Sequence, residues 1–161
     1  MYNNDRINLI LHNDKFNEYL NKNNYLEKNR EFCTHDINHL IDTARIAYII
    51  VLERKINYSK DIVYAAALLH DIGRWQQYEE GIPHEAASAN LSKDILKQSN
   101  YNKSEIDLIC KAIINHRKAS DENTLDYIIY KSDKLSRKCF NCASINKCKW
   151  SEDKKNHNII Y

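Results

Sequence analysis

From Asn3 to Arg30 the apolar residues Ile7, Ile10, Leu11, Phe16, Tyr19, Leu20, Tyr25 and Leu26 recur at roughly helical spacing in a background of Asn, Lys and Glu. The pattern predicts two polar helices broken near Asn13 and packed outside the main core. A stripe of Ile37, Leu40, Ile41, Ala44, Ala47, Tyr48 and Val51 predicts a long helix from His35 to about Arg54, with Thr34 as its N-cap. Ser59 is placed to cap the next helix, which runs to Ile72. Its centre, YAAALL, is apolar all round and reads as the buried middle of a bundle. Gly73 then suits the left-handed position that ends a helix. Pro83 fits the first turn of a helix reaching about Gln98. Ser104 caps another that ends near His116, and Asp121 to Ser136 forms the last clear one. Beyond Lys138 the periodicity weakens.

With two glycines and one proline in 161 residues, the chain lacks the turn residues an all-β fold needs. The expectation is an all-α, single-domain helical bundle. Residues 1–30 form N-terminal helices against the core, 31–137 the main domain, and 138–161 a cysteine-bearing tail. A chain of this length can bury one core but not two comfortable ones.

The net charge of +2, with no basic stripe, does not point to a nucleic-acid partner. No apolar run approaches a membrane span, and the start MYNNDR is not a signal peptide, so the reading is cytoplasmic with no membrane partner. Ser151 to Lys155, SEDKK, reads as a solvated tail. Oligomeric state stays open.

The chemistry concentrates in four segments: NHLIDTARIA with His39, AAALLHDIGR with His70 and Asp71, the later histidines His84 and His116, and Asp133 in IIYKSDKLSR. Imidazole nitrogens and carboxylate oxygens are ligands that borderline divalent metals prefer. On a helix His70 and Asp71 point about 100° apart, so they share an ion only near a helix end, where Gly73 puts them. Buried after AAALL, a charged Asp is costly without a cation.

These segments, in this order, resemble the HD superfamily of metal-dependent phosphohydrolases: HLIDTARIA, ALLHDIGR, PHEAASAN, IINHR and SDKLS, from about Phe32 to Arg137. The resemblance implies an HD-type helical bundle in which His39, His70, Asp71 and Asp133 hold a first metal. It implies that Asp71 bridges to a second ion held by His84 and His116. It further implies one or two divalent transition metals (Fe, Mn, Co or Ni), with His70, Asp71 and Arg74 at the catalytic centre and Arg74, which replaces a lysine common in the motif, as a contact for substrate phosphate. Arg117 and Lys118, directly after His116, are further candidates for such contacts. His35-Asp36 also spells HD, but it opens a helix without the apolar run and reads as cap-region residues, Asp36 complementing the helix dipole.

The implied partner is a small phosphorylated molecule, a nucleotide or related phosphate ester, hydrolysed by a metal-activated water. The six-ligand pattern is similar to that of bacterial dinucleoside-polyphosphate hydrolases in ligand order and size, although Arg117 and Lys118 stand where small hydroxyl and glycine residues are usual. The doubled histidine and GYP motif of the cyclic-dinucleotide phosphodiesterase branch are absent. Two other readings stay open: a di-iron oxygenase of the HD type, and a non-catalytic metal or redox sensor.

Five cysteines in a reducing compartment point away from a disulfide framework. Cys139, Cys142 and Cys148 form C-x2-C-x5-C, and Cys33 is the best fourth ligand. Cys33 and Cys139 each stand six residues from a residue expected at the histidine site, His39 and Asp133. Zinc or an iron–sulfur cluster is the expected occupant. Cys110, within IDLICKAII, reads as a small core residue.

Overall fold

Apolar stripes and local caps fold the chain into helices joined by short turns; the computed structural model describes residues 5–118 and 121–161. In order these are α1 (Arg6–Leu11), α2 (Asp14–Glu27), α3 (Ile37–Glu53), α4 (Lys60–Leu69), α5 (Arg74–Glu80), α6 (His84–Gln98), α7 (Lys103–Asn115) and α8 (Leu125–Leu135), followed by three short 3-10 turns. No strand occurs among the described residues. The fold is all-α.

Helix α4 is the axis of the bundle. Ala65, Ala66 and Ala67 are wholly buried, and their small side chains let α3, α6, α7 and α8 pack close around it. Large apolar residues on those neighbours complete the core, among them Leu40, Ile50, Ile95, Ile109, Ile113 and Ile128. Cys110 is buried there, its thiol 3.4 Å from the Ala89 carbonyl.

The N-terminal helices depart from expectation. Ile10 and Phe16 are fully buried in the common core, and α2 packs on α5. Arg6 pairs with Asp61 on α4 and Glu105 on α7, which ties α1 to the bundle. The polar composition hid this because only a few residues of each helix face inward.

Several helix starts also shift by two to four residues. Asp36, not Thr34, caps α3: its carboxylate accepts the His39 amide at 3.0 Å. Asn102, not Ser104, caps α7 in a reciprocal capping box with Glu105. Helix α8 starts at Leu125 and not at Asp121, with Thr124 as its cap. In each case two good capping residues lie close together in sequence, and tertiary packing selects between them.

Gly73 is not left-handed; its φ is −93° and it opens α5. It is there for space. A Cβ at this position would stand 2.4 Å from the Ser88 amide nitrogen on α6, and the Gly73 amide donates to Ser88 Oγ at 2.9 Å. The left-handed glycine is Gly81 (φ +73°), which ends α5.

Candidate metal centre and its pocket

His70 follows the last residue of α4, and its ring turns back to donate Nδ1–H to the Ala67 carbonyl at 2.6 Å. His116 does the same after α7, reaching Ile113 O at 2.6 Å. His39, in the first turn of α3, points Nδ1 at Ser136 Oγ at 3.0 Å, and that hydroxyl donates onward to Asp133 O. His84, first residue of α6, sets Nδ1 2.7 Å from Gln77 Oε1. In all four rings Nδ1 faces an oxygen, so the proton belongs there and the Nε2 lone pair faces inward.

Those lone pairs converge on Asp71, which is fully buried. Its Oδ2 lies 3.6 Å from His39 Nε2 and 3.1 Å from His70 Nε2. Its Oδ1 lies 3.2 Å from His84 Nε2 and 3.9 Å from His116 Nε2. Asp133 Oδ1 completes the first set, 3.3 Å from His39 Nε2. The result is two groups of candidate ligands sharing one carboxylate: His39, His70, Asp71 and Asp133 on one side, Asp71, His84 and His116 on the other.

Three atoms of the first group, His70 Nε2, Asp71 Oδ2 and Asp133 Oδ1, are buried without a hydrogen-bond partner. Buried polar atoms are normally satisfied, and an unsatisfied knot of two carboxylates and an imidazole fits a cation at its centre. In the metal-free protein protons do part of that work. Burial opposes charge on His70, but Asp71 and Asp133 outweigh it and push its pKa up to about 10. Burial likewise opposes charge on Asp71 and Asp133; His70 beside Asp71, and the imidazoles of His39 and His70 close to Asp133, nevertheless hold both carboxyls well below the usual range. On the other side burial holds His84 down to about 3 and lowers His116 as well, so both rings are neutral.

Arg74 donates Nε–H to Asp71 Oδ1 at 3.0 Å. Expected as a contact for substrate phosphate, it offsets the buried carboxylate and also lines the adjoining pocket. Arg117 lines the adjoining pocket, whereas Lys118 is exposed and does not. The Lys118 amide closes a tight turn on Asn115 O at 2.8 Å.

Three residues escaped the sequence reading. His35 is buried, not a capping surface residue; its Nδ1 lies 2.6 Å from Glu27 Oε1 and its Nε2 3.7 Å from Asp71 Oδ2. Glu27 also accepts the His35 amide and the Tyr78 hydroxyl. Burial raises the Glu27 carboxyl, but these partners prevail and hold it down to about 2; burial lowers His35 to about 4. Glu27 is thus the ionised partner and His35 the neutral donor. Asn23 straps the turn that carries Asp71, donating to Asp71 O at 3.1 Å and accepting from the Trp75 amide at 2.8 Å. Only the HD dipeptide at 35–36 hinted at any of this. Glu27 and Asn23 act across long sequence separations and leave no local pattern.

A pocket of about 460 Å³ opens over the two groups. Arg30, Arg74, Arg117, Lys134, Arg137 and Lys149 line it, with Asp133 as the sole acidic residue among the described ones and Phe32 and Trp150 as its large aromatic walls. Among the described residues no helix is long and apolar enough to cross a membrane.

The family model for the HD domain matches residues 36–138. An uncharacterized protein from Clostridium beijerinckii is 45% identical over 157 residues, covering 98% of this chain and 99% of the relative. The crystal structure of a predicted HD superfamily hydrolase from an uncultured Thermotogales bacterium shares the fold with a TM-score of 0.62 at 24% identity, over 86% of this chain and 80% of that one.

Proposed function

This chain belongs to the HD-domain family, and from that premise we propose that it is a metal-dependent phosphohydrolase acting on a nucleotide or a related phosphate ester. The observation that carries the reading is the pairing of two imidazole–carboxylate groups with a pocket lined by six cationic side chains. A divalent ion bound there supplies Lewis acidity, making hydroxide available from water near neutral pH and offsetting charge on phosphoryl oxygens.

The protein's own residues do the rest. His39, His70, Asp71 and Asp133 would hold one ion, and Asp71, His84 and His116 would hold a second. Arg117, Lys134 and Lys149 meet the non-bridging oxygens of a polyanionic substrate, which needs positioning more than covalent help. Phe32 and Trp150 offer faces on which a base can stack, and they favour a nucleotide over a bare phosphate ester. His35, oriented by Glu27, presents its Nε2 lone pair beside Asp71 and can accept a proton there. A small uncharged alcohol, the substrate class for the oxygenase reading, would leave the cationic rim without a role.

The test is a panel of mono- and dinucleotides assayed for phosphate or nucleotide release with Mn, Fe, Co or Ni. Turnover that disappears in Asp71→Asn is the expected result. A protein silent across the panel that consumes oxygen with a small alcohol would overturn the assignment.

A further inference from the structure

Cys33 lies in the loop before α3, and Cys139, Cys142 and Cys148 lie in the tail after α8. Neither end is α-helical at the cysteines, Cys139 opening a short 3-10 turn, so the matching six-residue offsets from His39 and Asp133 are not what brings them together. Tail and loop meet by other means. Asn156 donates to the Lys134 and Arg137 carbonyls at 2.7 and 2.8 Å, and the Phe140 amide donates to Asn156 O. Lys147 reaches Glu31 at 2.7 Å. The tail is thereby folded back over the end of α8, and all four cysteines line one pocket of about 250 Å³.

The thiol lining of that pocket limits what can occupy it. A single zinc ion with four thiolates at about 2.3 Å brings the sulfurs within roughly 3.8 Å of one another. Among the described residues, the groups with three or more ligand atoms mutually within 4.8 Å are the two built on Asp71, and neither contains a cysteine. The four thiols instead stand around a space. An iron–sulfur cluster fits that arrangement, because each cysteine binds a different iron and the inorganic core lies between them. Such a core with four thiolates is anionic. Arg137 and Lys155 line the same pocket, and the Lys155 side chain is only 8% exposed although it stands in a run expected to be solvated.

We propose that Cys33, Cys139, Cys142 and Cys148 hold an iron–sulfur cluster of the four-cysteine type, separate from the histidine site. The cluster pins the tail where it walls the larger pocket: Cys33, Cys148 and Trp150 line both cavities, with Arg137 between them, donating to Thr34 O at 2.7 Å and standing 3.2 Å from His39 Nε2. Loss of the cluster would release Lys149 and Trp150 from the substrate wall.

Inorganic sulfide distinguishes this centre from any iron bound by the histidines. Full-length protein produced with ample iron and purified without oxygen should carry acid-labile sulfide, about four per chain for a cubane cluster, with visible absorption bleached by dithionite. Cys142→Ala should lose the sulfide, and Cys110→Ala should keep it. The His39→Ala and His70→Ala double variant should keep it too, although its hydrolase activity would be gone; failure of the functional reading above therefore leaves this result intact. Should Cys142→Ala fail to fold, the sulfide content of the native chain and of Cys110→Ala decides the matter. Protein free of sulfide, whether its cysteines carry zinc or no metal, would overturn the cluster.

Discussion

The Nε2 atoms of His84 and His116 stand 3.3 Å apart, and both rings have their Nδ1 turned to an oxygen. Two lone pairs at that distance repel unless a cation lies near both. His116→Ala should therefore cost one metal equivalent per chain while sparing the ion at His39 and His70, and should lower turnover by more than about 100-fold. Metal counting with anomalous scattering checks it. Retention of two ions in the variant would show that the second group is not a metal site.

Metal binding should release a proton from His70. With its pKa pushed up to about 10 by Asp71 and Asp133 against the opposing effect of burial, His70 is charged at neutral pH in the metal-free protein. Apparent affinity for Mn should then rise roughly tenfold per pH unit from 6.5 to 8.5, within the limit of one proton exchanged. The same shift sets the sign for metal-free stability. The folded-state value lies above the ordinary 6.5, so the contribution is full below about 6.5 and is lost as pH rises through about 10. Calorimetry in two buffers of different ionisation enthalpy reads the proton directly. A pH-independent affinity would contradict this.

Glu27→Gln should lower kcat by about 10- to 100-fold and leave metal content unchanged. The carboxylate sets the direction of the His35 ring without touching the Asp71 oxygens. If His35 passes a proton, the variant should also change the shape of the pH–rate profile, which a purely structural effect would not. His35→Gln should show the same altered profile. Loss of metal in either variant would instead make the pair part of the ligand scaffold.

Trp150→Ala and Lys149→Ala should raise KM for a nucleotide by several-fold with a smaller effect on kcat. Both line the pocket at a distance from Asp71 and serve binding. Steady-state kinetics on the best substrate of the panel will separate the two parameters. A drop confined to kcat would mean that the tail acts on the chemistry.

Gly73→Ala should destabilise the fold by roughly 1–3 kcal/mol, because the added methyl meets the α6 backbone and not a side chain that can swing away. Thermal unfolding gives the size. Since α6 begins with His84, the variant should also weaken the second metal before the first. Equal loss of both would point to general unfolding.

The main helices were legible where an apolar stripe met a cap. Helices α3, α4, α6, α7 and α8 came within a few residues of their observed bounds because each must bury one face. Helix α5 was invisible for the opposite reason, since none of Arg74–Glu80 is buried. The ligand candidates could be read because histidines and aspartates stood at helix ends in an ordered set of motifs. What the chain concealed was non-local: Glu27 below His35, Asn23 across the Asp71 turn, and Trp150 folded back over the pocket. Composition also misled, since an Asn- and Lys-rich N-terminus still placed Ile10 and Phe16 in the core.

His70 and His116 each occupy the residue at which a helix stops, and each ring takes a carbonyl from the turn it has just left. A helix end leaves carbonyls unsatisfied, and here the imidazoles consume two of them. Helix length is therefore part of the geometry of the candidate metal centre. One more turn on α4 or α7 would reclaim the carbonyl for a backbone amide, free the ring to rotate, and carry Nε2 off its heading. Substitutions that strengthen helix propensity just beyond Leu69 or Asn115, a usual route to a hardier protein, would here work against the centre the bundle is built around.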